Sequence, residues 1–304
     1  MKKTSEPITF FGSGPVAAQS LELLAQNFDI EAVITKPALA HHRGDMPVLT
    51  LAKKLDLPIR TVTDKQELEE MFATDPALGS RVAVLIDFGI MVPDSVINYF
   101  PLGIVNSHFS LLPELRGADP ITFAILNGLK ETGVSLMLLV KAMDEGPLLS
   151  QTSYSLPPTI TTPELTEALI EVSYAALSVI LPLYMNGDAS AIPQDLSVDA
   201  TYSRKLTKED GIINWSKPAA QLEREVRALL EWPKSHAKIS GIDVIITKSH
   251  VEDMSGEPGD VTTSGKNLIV YCKEKALAID YLKPLGKKEM PAEAFLAGYH
   301  LPKL

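Results

Sequence analysis

Residues Asn106-Ser107-His108 place a carboxamide and an imidazole two positions apart. On an extended strand these side chains lie on one side. Two hydrogen-bond donors side by side can converge on one oxygen atom, which is what a carbonyl needs as it becomes an oxyanion. An Asn and a His at a strand end also serve as ordinary hydrogen-bonded loop residues, and the spacing fits both roles. Asp144 lies in Val140-Lys141-Ala142-Met143-Asp144-Glu145-Gly146-Pro147, after an apolar run and before a Gly-Pro turn. A carboxylate there could fix the tautomer of a neighbouring imidazole and stabilise an imidazolium, or it could be a plain turn residue. A third candidate is Gly12-x-Gly14-x-x-Ala17, a permissive dinucleotide fingerprint. That fingerprint wants an acidic residue closing the second strand, where this chain has Lys36-Pro37. The loop is therefore read as a glycine turn into a helix, with a phosphate or substrate contact at Gly12 and Gly14 left open.

The elements that must position these groups follow from periodicity. ITFFG (8–12), IEAVIT (30–35), PIRTV (58–62), VAVLIDFG (82–89), GIVNSHFS (103–110) and GVSLMLLV (133–140) are apolar strand runs. Helical patterns separate them, including 16–27 and a helix opened by Pro47 and running to 55. Such alternation predicts a parallel sheet covered on both faces, a doubly wound α/β domain. It places Asn106 and His108 at the C-terminal end of a strand, where open α/β sheets hold ligands. A helix-rich stretch, 163–185, closes this domain at about residue 187, and the polar stretch 188–207 reads as a linker. The remainder, 208–304, carries a helix over 219–230. Three short β runs follow, 238–251, 259–272 and 276–282, separated by Ser-Gly, Gly-Glu-Pro-Gly and Ser-Gly-Lys-Asn turns. A small barrel-like β domain is expected there.

Composition narrows the classes. Of 304 residues, 45 % are apolar and 22 % charged, so wholesale disorder is excluded. One cysteine, Cys272, excludes an intramolecular disulfide framework and any multi-cysteine metal site. His41-His42 reads as a solvated loop pair, and no metal is expected. No apolar run approaches the roughly 20 residues of a membrane span, and no apolar signal segment precedes Gly12. No membrane partner and a cytoplasmic location are expected. The net charge of −10 is uneven: residues 1–187 hold 12 basic and 21 acidic residues, residues 201–304 hold 16 and 14. A polyanion could therefore still meet the C-terminal part.

These residues belong to longer motifs. Asn106-x-His108 runs into Ser110-Leu111-Leu112-Pro113, then Arg116-Gly117-Ala118-Asp119-Pro120-Ile121, Glu131-Thr132-Gly133-Val134 and Asp144-x-Gly146. Together they resemble the folate-dependent formyltransferases. The resemblance continues through Tyr202 to Trp215, Ala220 to Ala228, Trp232-Pro233 and Leu285 to Met290, so it spans nearly the whole chain. It implies a doubly wound, Rossmann-like formyltransferase domain followed by an OB-like β barrel. It further implies Asn106, His108 and Asp144 as the catalytic trio. Ser110, Leu111, Leu112 and Pro113 match the family's folate-binding signature, and Phe88, Gly89, Ile90, Met91 and Val92 stand where the family lines the pterin pocket. The implied donor is 10-formyltetrahydrofolate. The C-terminal motifs narrow the implied acceptor to the α-amine of methionine on initiator tRNA, for translation initiation, with a nucleotide-linked amino sugar as the alternative. The protein is expected to act as a monomer. Gly12, Gly14, Lys36, Arg43 and Arg116 are expected on the acceptor side. Lys205, Lys208, Arg224, Arg227, Lys287 and Lys288 are candidate phosphate contacts. The chain departs from the family pattern at Asp87, Glu114 and Asp119, and its 36–47 loop is short and weakly basic.

Overall fold

A computed structural model describes residues 6–38, 46–74, 77–195 and 197–299. In chain order the first elements are β1 (Pro7–Phe11), α1 (Pro15–Asn27), β2 (Asp29–Thr35), α2 (Pro47–Lys54), β3 (Ile59–Thr61), α3 (Lys65–Thr74), β4 (Ala83–Leu85), α4 (Asp94–Ile97) and β5 (Ile104–His108). Then come β6 (Arg116–Gly117), α5 (Pro120–Leu126), β7 (Glu131–Leu138), β8 (Leu148–Ser155), α6 (Thr162–Asn186) and β9 (Tyr202–Ser203). The last are α7 (Ala219–Ala228), β10 (Ser235–Ile239), β11 (Ile242–Glu252), β12 (Val261–Ser264), β13 (Asn267–Tyr271), β14 (Ala276–Pro284), β15 (Met290–Pro291) and α8 (Ala292–Gly298). Contacts group residues 1–117, 131–155 and 166–202 into one compact unit, and 118–130, 156–165 and 203–304 into a second. Two short segments before residue 187, 118–130 and 156–165, thus belong to the second compact unit.

The first unit is built on a seven-stranded sheet ordered β3-β2-β1-β4-β5-β7-β8. Its β3 to β5 portion is parallel, as the buried apolar runs require. One expectation is corrected here: the 133–140 run is antiparallel to β5, pairing Val105 with Leu138 and His108 with Ser135. An apolar run buried on both faces reads the same in either direction, so its pattern carried no polarity. β8, antiparallel on the edge, was not expected, because its sequence LLSQTSYS is mostly polar and half-exposed. The order reverses around β1 and β4, the crevice position of doubly wound sheets. Helix α6, at 25 residues, is long and apolar enough to cross a membrane by length and composition, which corrects the reading that no run approaches that length. Its Leu169, Ser173, Leu177, Leu181 and Met185 recur every four residues and are all buried.

The second unit holds an antiparallel sheet ordered β10-β11-β14-β13-β12, with β15 on β14. Its end strands β10 and β12 are not paired with each other, as in a partly open barrel. Leu222 and Val226, one turn apart on α7, join Ile246, Leu268, Val270, Leu277, Ile279 and Phe295 in its core.

Candidate active site

Strand alternation on β5 sends the Ser107 hydroxyl to Ser173 of α6 at 2.7 Å. Asn106 and His108 therefore share the opposite face. Both are buried, 7 % and 6 % exposed. His108 Nε2 lies 3.0 Å from the Leu115 carbonyl oxygen. A carbonyl only accepts, so Nε2 carries the proton. Nδ1 is left facing Asp144 Oδ1 at 3.8 Å, beyond a direct hydrogen bond but within reach of a bridging group. The other carboxylate oxygen, Oδ2, accepts the Gly117 N–H at 2.7 Å. Asp144 itself has φ 54°, a left-handed conformation that Asp tolerates better than most residues. The structure thus brings His108 and Asp144 together on Nδ1. Among the described residues the Asn106 carboxamide makes no hydrogen bond to protein, so a buried donor on the His108 face is open to a ligand oxygen.

The segment 110–113 is held from β7 and β8. Ser135 Oγ donates to the Ser110 carbonyl at 2.7 Å and accepts the Leu112 N–H at 3.0 Å. Gln151 Nε2 donates to that same hydroxyl at 3.0 Å and to the Leu112 carbonyl at 2.8 Å. The Ser110 hydroxyl donates to the Glu114 carbonyl. From the far end, Thr201 accepts the Leu115 N–H on Oγ1 at 2.8 Å and donates its own N–H to the Pro113 carbonyl. These polar groups set the turn that delivers the Leu115 carbonyl to His108.

Residues 88–92 divide. Phe88 packs edge-on against Phe11 with centroids 5.4 Å apart, and Val92 joins the same core, so these two expected pocket residues point inward. Gly89 has φ 67° and offers its carbonyl to Lys36 Nζ at 3.3 Å, Ile90 packs partly against the core, and Met91 is 67 % exposed. Gly12 and Gly14 are close-packing positions. A Cβ on Gly12 would meet Ala17 Cβ at 2.6 Å and the Ile86 carbonyl at 2.9 Å, and one on Gly14 would meet the Asp87 carboxylate. Arg43 lies outside the described residues. Arg116, expected on the acceptor side, is buried and directed inward: Nη1 pairs with Glu145 at 3.0 Å and Nη2 donates to Gln194 Oε1 at 2.7 Å.

In the second unit Lys205, Lys208, Lys287 and Lys288 are exposed. Arg224 and Arg227 are not free cations. Arg224 Nε reaches the Leu126 carbonyl, and Arg227 forks onto Glu223 at 2.6 and 3.0 Å while donating to the Ile160 carbonyl. A groove of about 900 Å³ opens in this unit, lined by Ile212, Trp215, Lys238, Lys283, Leu285 and Lys287 among others. Leu115, Ser135, Gln151, Gln194 and Thr201 were missed by sequence reading. They act through backbone groups or as single polar residues within polar or apolar runs, and such positions carry no motif.

Residues 9–181 match the formyl transferase family model and residues 205–300 match the formyl transferase C-terminal domain model. The chain is 34 % identical over 306 residues to a methionyl-tRNA formyltransferase of Roseiflexus castenholzii, covering 97 % of this chain and 96 % of that one. It is 35 % identical to a methionyl-tRNA formyltransferase of Chloroflexus aurantiacus, covering 96 % and 97 %. Its fold is similar to that of an N-formyltransferase from Helicobacter canadensis solved with folinic acid and dTDP-3-aminofucose. There the TM-score is 0.67 and the identity 18 %, over 92 % of this chain and 99 % of that one.

Proposed function

The chain belongs to the formyl transferase family, and on that premise we propose that it transfers the formyl group of 10-formyltetrahydrofolate to the α-amine of methionine on initiator tRNA. The observation that carries the reading is the pairing of a buried Asn106 carboxamide, without a hydrogen bond among the described residues, with a His108 whose Nδ1 faces Asp144. When bound, the folate supplies a formamide carbonyl for the amine to attack. The Asn106 carboxamide and a proton on His108 Nδ1 both donate to that carbonyl oxygen as it gains negative charge. The negative charge of Asp144 beside Nδ1 balances the doubly protonated imidazole. Asp144 also takes the proton the amine loses, directly or across a water, and returns it to the folate nitrogen as the bond from that nitrogen to the formyl carbon breaks, so that formylated amine and tetrahydrofolate separate. An α-amino group with a reference pKa of about 7.7–8.0 has a neutral fraction at pH 7, so attack needs no strong base.

The acceptor assignment is supported by relatives that match 97 % and 96 % of this chain at 34 % and 35 % identity, whereas the amino-sugar enzyme shares the fold at 18 % identity. The exposed lysines of the second unit and its groove offer a nucleic-acid backbone both charge and apolar contact. In this reading the enzyme works as a cytoplasmic monomer, with Lys36 on the acceptor side and its Nζ on the Gly89 carbonyl. The test is formyl transfer from a labelled donor, with initiator Met-tRNA and a nucleotide-linked amino sugar offered in parallel. Transfer to the tRNA alone is expected; transfer to the sugar alone overturns the assignment.

A further inference from the structure

We propose that Gln194 is the positioning residue for Asp144, an inference that rests on the formyl-transfer reading. Gln194 is buried, and its carboxamide is fully engaged. Oε1 accepts from Arg116 Nη2 at 2.7 Å, while Nε2 donates to the carbonyls of Asp144 at 2.7 Å and Gly146 at 2.9 Å. Arg116 can only donate and the two carbonyls can only accept, so the orientation of this amide is fixed. The two carbonyls flank Glu145, whose carboxylate holds the other arm of Arg116 at 3.0 Å. The turn is stitched at its base, Leu138 N–H to Pro147 carbonyl at 2.9 Å and Leu139 N–H to Ile104 carbonyl at 2.8 Å. Between those ends residues 141–143 are exposed. The carboxamide therefore clamps the backbone on both sides of Glu145 and holds the left-handed Asp144, whose Oδ1 stands 3.8 Å from His108 Nδ1. Gln194 reaches this position through a two-bond bridge between Ile192 and Leu148, at 2.7 and 2.8 Å. The same stretch carries Thr201, which secures Leu115, the acceptor for His108 Nε2. Gln194 and Thr201 thus hold both sides of the His108–Asp144 pair.

The experiment uses the full chain with Gln194→Met, which keeps length and removes all three hydrogen bonds, and Gln194→Glu, which keeps the acceptor for Arg116 but loses both donors. With formyl donor and Met-tRNA, kcat is expected to fall roughly 10–100-fold in either variant while both KM values stay within about threefold. In protein carrying nitrogen-labelled histidine, the His108 Nδ1 resonance is expected to move in the direction seen with Asp144→Asn. Should Gln194→Met not fold, Gln194→Glu gives both readouts. Wild-type kcat together with an unmoved resonance overturns the inference alone, as does a loss in which KM rises as much as kcat falls. A wild-type chain that formylates no Met-tRNA overturns the functional reading, and the inference with it.

Discussion

His108 and Asp144 meet on Nδ1 because the Leu115 carbonyl already holds Nε2. This assigns the two ring nitrogens different work. Nε2 fixes the ring plane through a backbone group, and Nδ1 is the nitrogen left facing the carboxylate and, in the proposed reaction, the formyl oxygen. The 3.8 Å separation leaves room for a bridging water or, in the proposed reaction, for the attacking amine between His108 and Asp144. Asn106 completes the arrangement from the same strand face.

Alanine at Asn106 or at His108 is expected to lower kcat by roughly 100–1,000-fold, the effect of removing one oxyanion donor. Folate affinity, measured by titration of protein fluorescence, should stay within about threefold, since neither group is needed for uniform binding of the donor. Normal turnover in both variants would take the pair out of the mechanism.

Gly146→Ala tests the turn that carries Asp144. Its added Cβ would lie 1.7 Å from the Leu138 carbonyl oxygen, a backbone atom that cannot swing aside. The turn must shift, so kcat should drop at least about 10-fold and the melting temperature should fall. Full activity in a folded Gly146→Ala enzyme would show that the position of this turn does not matter to the reaction.

Ser135→Ala isolates the support of residues 110–113. The hydroxyl serves the Leu112 N–H, the Ser110 carbonyl and the Gln151 amide, and Ser135 is fully buried. Each buried group left unpaired costs about 1–3 kcal/mol. Urea denaturation should therefore show a loss of at least about 1 kcal/mol, accompanied by a raised KM for the folate if this segment holds it. A variant as stable as the wild type would mean that the segment keeps its shape without Ser135.

The parallel strands were legible because ITFFG, IEAVIT and GIVNSHFS are apolar runs ending at glycine or polar groups. The shared face of Asn106 and His108 was legible from their two-residue spacing on a strand, whereas the approach of Asp144 to His108 comes only with the fold. The direction of β7 was not, since a run buried on both faces has no polarity, and β8 was hidden by a polar edge sequence. Arg116 and Arg227 could not be told from surface cations, because their partners Gln194, Glu145, Glu223 and the Ile160 carbonyl come together only in the fold.

Arg204 and Asp210 give a pH signature. The Arg204 guanidinium, bonded to both carboxylate oxygens at 2.6 and 2.8 Å, holds the Asp210 carboxyl well below the usual carboxylate range. A depressed folded-state value contributes stability that is present above the unfolded value of about 3.9 and is lost as pH falls through the folded one. Arg204→Gln should therefore be less stable than wild type near pH 7, and the difference should shrink as pH falls well below about 4. A difference that grows on acidification would contradict the pairing.

The basic residues of the second unit separate into two kinds, and salt dependence distinguishes them. Lys287 and Lys288 are exposed, and Lys287 lines the groove beside Trp215 and Leu285. Each phosphate contact removed from a nucleic-acid complex lowers affinity and flattens the dependence of log K on log salt by about one unit or less. The double variant Lys287→Ala, Lys288→Ala should therefore bind Met-tRNA more weakly with a shallower slope, while its melting temperature stays unchanged. Arg227 behaves oppositely. Its guanidinium is forked onto Glu223 and bonded to the Ile160 carbonyl, so Arg227→Ala strips partners from groups that are themselves only partly exposed. That variant should lose stability, and its salt slope should match the wild type once the folded fraction is accounted for. Met-tRNA titrations at several salt concentrations, paired with thermal melts, check both. A slope flattened by Arg227→Ala and left intact by the lysine pair would exchange the two assignments and move the tRNA contact from the groove to α7.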